Sequence, residues 1–95
     1  MSIKYLRIIG GENIVADLVE DNSDTVVVTN PIVAIPTSES QIAFAPWASL
    51  QDPGETKIAI DKRHIIFITE CAPQIADQYA SMFGTIIAPS KQLIL

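Results

Sequence analysis

The chain has 95 residues, a mass of 10.3 kDa and a formal net charge of −5, which makes one domain rather than two. Apolar residues make up 48% and charged residues 18%; that balance excludes disorder, the lone Cys71 excludes a disulfide scaffold, and six Lys and Arg against eleven Asp and Glu argue against a free-standing nucleic-acid clamp. Ordinary soluble domains carry about 25% charged residues, so the shortfall predicts that part of the surface meets another protein surface.

Sixteen Ile and six Val favour a pleated surface over a helix, because branching at Cβ restricts χ1. Residues 3–9 read as a first strand. Gly10-Gly11-Glu12-Asn13 reads as a turn, since glycine accepts positive φ. Residues 14–20 follow, with Ile14, Ala16 and Leu18 on one face and Val15, Asp17 and Val19 on the other, a period of two that marks a sheet with one face in the core. Asp21-Asn22-Ser23-Asp24 is the next turn, and residues 25–29 form a valine strand with both faces apolar.

Asn30-Pro31 interrupts, because Pro31 has no N–H for a ladder; residues 32–35 resume the strand after a bend. Residues 36–41 read as a polar loop. Residues 42–50 suit another strand, broken or pushed to an edge by Pro46. Asp52-Pro53-Gly54-Glu55 carries turn chemistry. Residues 57–60 and 64–69 are the last strands, and their connection is too short for a helix, which leaves an antiparallel pair or one sharply bent strand. The tail then changes period. Ile75, Tyr79 and Met82, with Ala76, Ala80 and Phe83 beside them, form a helical stripe over 72–83, with Pro73 suited to its first turn and Gly84 to its stop.

No targeting or membrane segment is expected. Residues 1–7 lack the long apolar core and cleavage site of a signal peptide. The longest uncharged stretches, 25–38 and 78–90, contain proline and fall short of the ~18 apolar residues of a membrane span. One unpaired cysteine fits a reducing cytoplasm, so the expected location is cytoplasmic.

The order of residues 11–30 resembles the first motif of the Sm and Sm-like family, to which the bacterial RNA chaperone Hfq belongs. In that motif a glycine turn is followed by an apolar residue, a small residue and a leucine at fixed offsets, then an Asp and a β-branched strand ending near an Asn. Gly11, Ile14, Ala16, Leu18, Asp21 with Asn22, Val26 to Val28 and Asn30 take those places. Residues 60–68 resemble the second motif, two apolar strands around a short basic turn, with Lys62-Arg63-His64 as the turn. The resemblance covers about half the chain. Ala16 stands where the family usually has Gly, and Asp24 where it often has a base-stacking aromatic or His. Residues 36–55 are longer than the usual connection, and the helix is C-terminal rather than N-terminal. Small proteins of marine tailed phages look like this variant.

The resemblance implies a mainly β fold: a strongly bent five-stranded antiparallel Sm-like (SH3-like) barrel over residues 1–71, with an enlarged loop or hairpin at about 36–55. A C-terminal helix and apolar tail over 72–95 would pack on the barrel or on a neighbouring subunit. It implies a homo-oligomeric ring of five to seven subunits, and single-stranded RNA as a weak partner. Its RNA-binding residues would be Asn22, Lys62, Arg63 and His64, with the two cations meeting phosphates and the Asn22 amide choosing a base. The alternative readings are a solvated basic turn whose cations offset Asp61, Glu70 and the acidic turn 20–24, and an assembly ring with no nucleic-acid role.

Other chemistry has less support. Glu12, Asp17, Glu20, Asp21 and Asp24 lie within thirteen residues with no base among them; without an EF-hand spacing they read as a solvated acidic face. His64 and Cys71 are the only histidine and cysteine, which is too few ligands for zinc. As a nucleophile and base they lack an orienting third group, so neither an enzyme nor a cofactor is expected. Phe44 and Trp47 suit a core or subunit contact better than base stacking.

Overall fold

The computed structural model describes residues 2–38 and 41–84. Six strands form one antiparallel sheet: β1 (Ile3–Ile8), β2 (Asn13–Asp21), β3 (Thr25–Ser38), β4 (Gln41–Pro46), β5 (Lys57–Asp61) and β6 (Ile65–Glu70). The order is β4-β3-β2-β1-β6, with β5 also on β3. The turn between β1 and β2 needs its glycine: Gly11 has φ of 97°, and its N–H donates to the Ile8 carbonyl at 2.8 Å. A side chain there would force an L-residue into left-handed backbone.

The long strand β3 organises the sheet. One edge carries β2 from Val26 to Val33. The other edge carries β5, with Thr25 opposite Asp61 and Thr29 opposite Lys57, and then β4, with Ile32 opposite Pro46 and Ser38 opposite Gln41. The change of partner falls at Asn30, whose φ is 50°, and Pro31. There the β2–β3 register slips, Val15 facing Ile32 but Asp17 facing Thr29. The bend expected at Asn30-Pro31 is therefore a bulge, and the strand runs through it. Residues 32–38 and β4 make a hairpin, so the sheet has six strands where five were expected. Pro46 ends β4 early, and residues 47–50 are turn.

Strands β5 and β6 do not pair with each other. A single 3₁₀ turn, Lys62–His64, joins them, and β6 returns to the first strand, Tyr5 facing Thr69 and Leu6 facing Ile68. One face of the sheet forms a shared core: Leu6, Ile14, Ala16, Val26 and Val28 are fully buried, with Ile8 and Ile60 beside them and Ile65, Ile68 and Trp47 packed against them. Side chains from five strands and the turn after β4 can meet in one cluster only if the sheet curls around it. No ladder joins β5 to β6 among the described residues, so the curled sheet is not closed into the expected barrel.

The opposite face is covered as well, which the alternation in β2 did not anticipate. Helix α1 (Pro73–Tyr79) has Pro73 in its first turn and continues as a π-helical segment, Ala80–Gly84. Tyr79, 1% exposed, sits on Val15 and Ile32, with Ile3, Phe44, Ile75 and Phe83 around them. Tyr79 and Phe83 rings lie 4.8 Å apart. The helical stripe thus packs on the protomer's own sheet, while Met82 remains 41% exposed. The apolar tail expected over residues 85–95 lies outside the described residues.

The Tyr79 hydroxyl also repairs the bulge. It accepts from the Asp17 N–H at 3.1 Å and lies 3.0 Å from the carbonyl oxygens of Thr29 and Asn30. These are the backbone groups around the slipped register. Buried backbone groups need partners, and this phenol supplies them. Its burial pushes its pKa up to about 12.

Candidate functional site

The basic turn and the acidic turn between β2 and β3 are neighbours. The Lys62 N–H donates to the Asp24 carbonyl at 2.8 Å, and Lys62 Nζ lies 2.6 Å from Asp21 Oδ1. Asp61 caps the 3₁₀ turn by accepting from the Arg63 N–H at 2.9 Å. It also takes Arg63 Nε and Nη2, the latter at 2.7 Å. The Arg63 hydrogen bonds hold the Asp61 carboxyl at about 2, and Asp61 in return raises Arg63. Asn22 points its amide at Thr25 Oγ1, 3.3 Å away. His64 is exposed, and its carbonyl accepts from the Ile9 N–H at 2.9 Å.

The fold therefore gathers Asn22, Lys62, Arg63 and His64 at one end of the sheet. A cavity of about 550 Å³ lies there, lined by Ser23, Asp24, Asp61, Lys62 and Arg63. Its electrostatics differ from a bare basic turn. Asp21, Asp24 and Asp61 against Lys62 and Arg63 leave one net negative charge with His64 neutral, and both cations already hold carboxylates. A phosphate must displace Asp21 or Asp61 and then sit beside them. Exposed ion pairs are worth little, so displacement is easy; the remaining carboxylates repel the incoming anion.

Two further features lie at the sheet's margins. Among the described residues, strands β4, β5 and β6 each pair on one side only. Along β6, Ile66 is 59% and Phe67 38% exposed, and nearby Ile9 is 61% exposed. The β6 side carries Ile65-Ile66-Phe67-Ile68, whereas β5 alternates half-buried Ile58 and buried Ile60 with exposed Lys57 and Ala59.

Cys71 lies in the cluster under the helix, where burial raises its thiol pKa. It is held as the weakly reactive thiol, and no hydrogen bond joins it to His64. Trp47 packs on the main core and Phe44 on the outer cluster. Among the described residues, no group of three or more His, Cys, Asp or Glu is placed to hold a metal ion, and no helix is long and apolar enough to cross a membrane.

One cluster was not singled out by the sequence. Tyr5 and Arg7 alternate on the outer face of β1, and Asn13 opens β2 beside them. Asn13 Oδ1 accepts from the Tyr5 hydroxyl at 2.8 Å and from Arg7 Nη1 at 3.2 Å, and the Tyr5 ring meets Phe67 edge-on at 5.1 Å. The signal available was the period of two in Tyr5 and Arg7, which sets both on the face opposite Leu6.

No protein-family model matches the chain, and no curated protein matches it either.

Proposed function

We propose that this protein is an Sm-like assembly module whose subunits join head to tail through β5 and β6 into a closed ring. The observation that carries the reading is that, of the three strands paired on one side only, β5 and β6 are joined by the basic turn and offer unlike edges, with exposed Ile66 and Phe67 along β6. Unpaired strand edges invite pairing, and a contact between two different edges generates a ring when the rotation closes. Support also comes from the last strand, which returns to β1 through a short basic turn, the strand–turn–strand arrangement of the second motif. The low share of charged residues fits a surface that is partly covered.

Sedimentation or light scattering tests this directly. Five to seven copies of the 10.3 kDa chain are expected at micromolar concentration. Ile66→Lys should shift the mass toward the monomer while leaving the fold intact, because the side chain is exposed in the protomer. A wild-type chain that stays monomeric at that concentration refutes the ring.

A second reading, single-stranded RNA binding at the ring's basic turns, is favoured by the cavity that collects Lys62 and Arg63. Ring symmetry would multiply that turn into an annulus. The acidic neighbours and the absence of a stacking aromatic at Asp24, a contribution of about 1–3 kcal/mol per base, put the affinity in the micromolar range or weaker. Lys62→Ala with Arg63→Ala should reduce binding of uridine-rich and adenine-rich oligomers alike and flatten its salt dependence. No binding to either oligomer at low salt leaves the assembly role alone.

A further inference from the structure

We propose that the cavity between the outer face of the sheet and helix α1 binds a monocarboxylate with a short aliphatic body, its carboxylate held by Asn13 at the cavity wall with Arg7 behind it. The cavity measures about 220 Å³, and Val15, Ala34, Pro36, Ile42 and Ile75 give it apolar walls. Tyr5 and Asn13 are the hydrogen-bonding side chains in its lining apart from the Cys71 thiol. An apolar cavity of about 150 Å³ takes a benzene ring, so this space suits a body of roughly six to nine carbons.

The polar end presents donors. Arg7 has no acceptor atoms, so the Asn13 side chain must turn its oxygen toward it; that oxygen is shared with the Tyr5 hydroxyl. The two Asn13 amide hydrogens then have no partner among the described residues. Arg7 itself is half-buried and has no carboxylate within ion-pair distance among the described residues, whereas Lys4, Lys62 and Arg63 each have one. A partly desolvated guanidinium with most of its donors unused favours an anion. Arg7 is not itself part of the lining, but its guanidinium lies 3.2 Å from the oxygen of Asn13, which is; a carboxylate that takes the Asn13 amide at the cavity wall therefore sits beside that cation, and an aliphatic body fills the space that an inorganic anion leaves empty. A cationic ligand is repelled, and a neutral alcohol forgoes the charge-assisted bonds.

The test is calorimetric titration of the full chain with octanoate, octanol and acetate, with the Asn13 amide resonances followed by NMR. Octanoate is expected to bind and shift those resonances, octanol to bind at least about tenfold more weakly, the equivalent of one strong polar contact, and acetate not to bind measurably. Asn13→Asp keeps the acceptor for Tyr5 and Arg7 but replaces the donors with a second acceptor. It should abolish the preference for octanoate over octanol. Arg7→Gln should do the same, and Ala72→Phe, at an exposed position on the cavity wall, should block both ligands. Octanol binding as tightly as octanoate overturns the carboxylate assignment. Undiminished binding in Ala72→Phe overturns the location, and a full chain that takes up no octanoate at millimolar concentration overturns the site.

Discussion

Removing one oxygen atom from Tyr79 is predicted to cost more stability than its size suggests. In Tyr79→Phe the ring still fills the space over Val15 and Ile32, so the apolar burial is unchanged. What disappears is the acceptor for the Asp17 N–H and the donor shared by the Thr29 and Asn30 carbonyls. Orphaning buried polar groups costs about 1–3 kcal/mol each for the better-desolvated ones. We expect a loss of about 2–3 kcal/mol, since the carbonyls near exposed Asn30 recover part of their bonding from water. For a domain of this size that lowers the Tm by roughly 10–20 °C. Urea unfolding at fixed protein concentration should show a reduced midpoint with an unchanged slope. The phenol gives a second handle. Its folded pKa, about 12, lies above the ordinary 10, so its contribution is fully present below pH 10 and is lost as pH rises through 12. Two pKa units correspond to on the order of 3 kcal/mol. Wild type should lose stability over that interval and Tyr79→Phe should not. A Tyr79→Phe midpoint equivalent to less than about 0.5 kcal/mol, the range of inert surface changes, refutes the idea that this hydroxyl completes the ladder.

Further outcomes follow from the same geometry. Asn30→Val should destabilise by about 1–2 kcal/mol in urea, since a β-branched residue is forced to positive φ, whereas Asn30→Gly should be near neutral. The Asp61 carboxyl should titrate by NMR with a midpoint of about 2 and move up toward the ordinary carboxylate range in Arg63→Ala, short of a full return because the residue-63 N–H still donates to it. Because its folded pKa is depressed, its contribution is present above about pH 4 and lost as pH falls through 2. Deleting residues 72–95 should uncover Val15 and Ile32 and produce aggregation at concentrations where the full chain stays in solution, read by turbidity; an unchanged clear solution with unchanged melting refutes the covering role of the helix.

The strands were legible in the sequence where their signals were local. The period of two in β2, the glycine turn at Gly11 and the Asx turn at 52–55 depend on neighbouring residues, and all three are where they were expected. Pro73 and the Ile75–Tyr79 stripe likewise marked the helix. The misreadings fell where distant segments decide. Val15 looked solvent-facing because β2 alone does not reveal that a helix sixty residues on will cover it. Residues 36–41 looked like a loop because Pro36 and the polar run hide that β3 continues to Ser38 and turns back as β4. At the basic turn the solvated reading set Lys62 and Arg63 against Asp61 and the acidic turn 20–24, and the ion pairs Arg63–Asp61 and Lys62–Asp21 fall among those acids. Asp61 is close enough in sequence to be anticipated, through the reach of an Asx-type cap; Asp21 is brought in only by the pairing of β5 with β3. The Tyr5–Asn13–Arg7 cluster was missed for the opposite reason: its three residues are local, but none belongs to a motif.

The return of β6 to β1 has a consequence for the order of events during synthesis. Strand β1 leaves the ribosome before the other five strands and can zip to β2 early, but its other edge must wait until residue 70 has been made. At roughly 5–20 residues per second that interval lasts several seconds. Through it Leu6 and Ile8 remain only half covered and one row of β1 backbone groups stays open, and β1 is therefore the segment most exposed to pairing with another nascent copy before its own partner arrives.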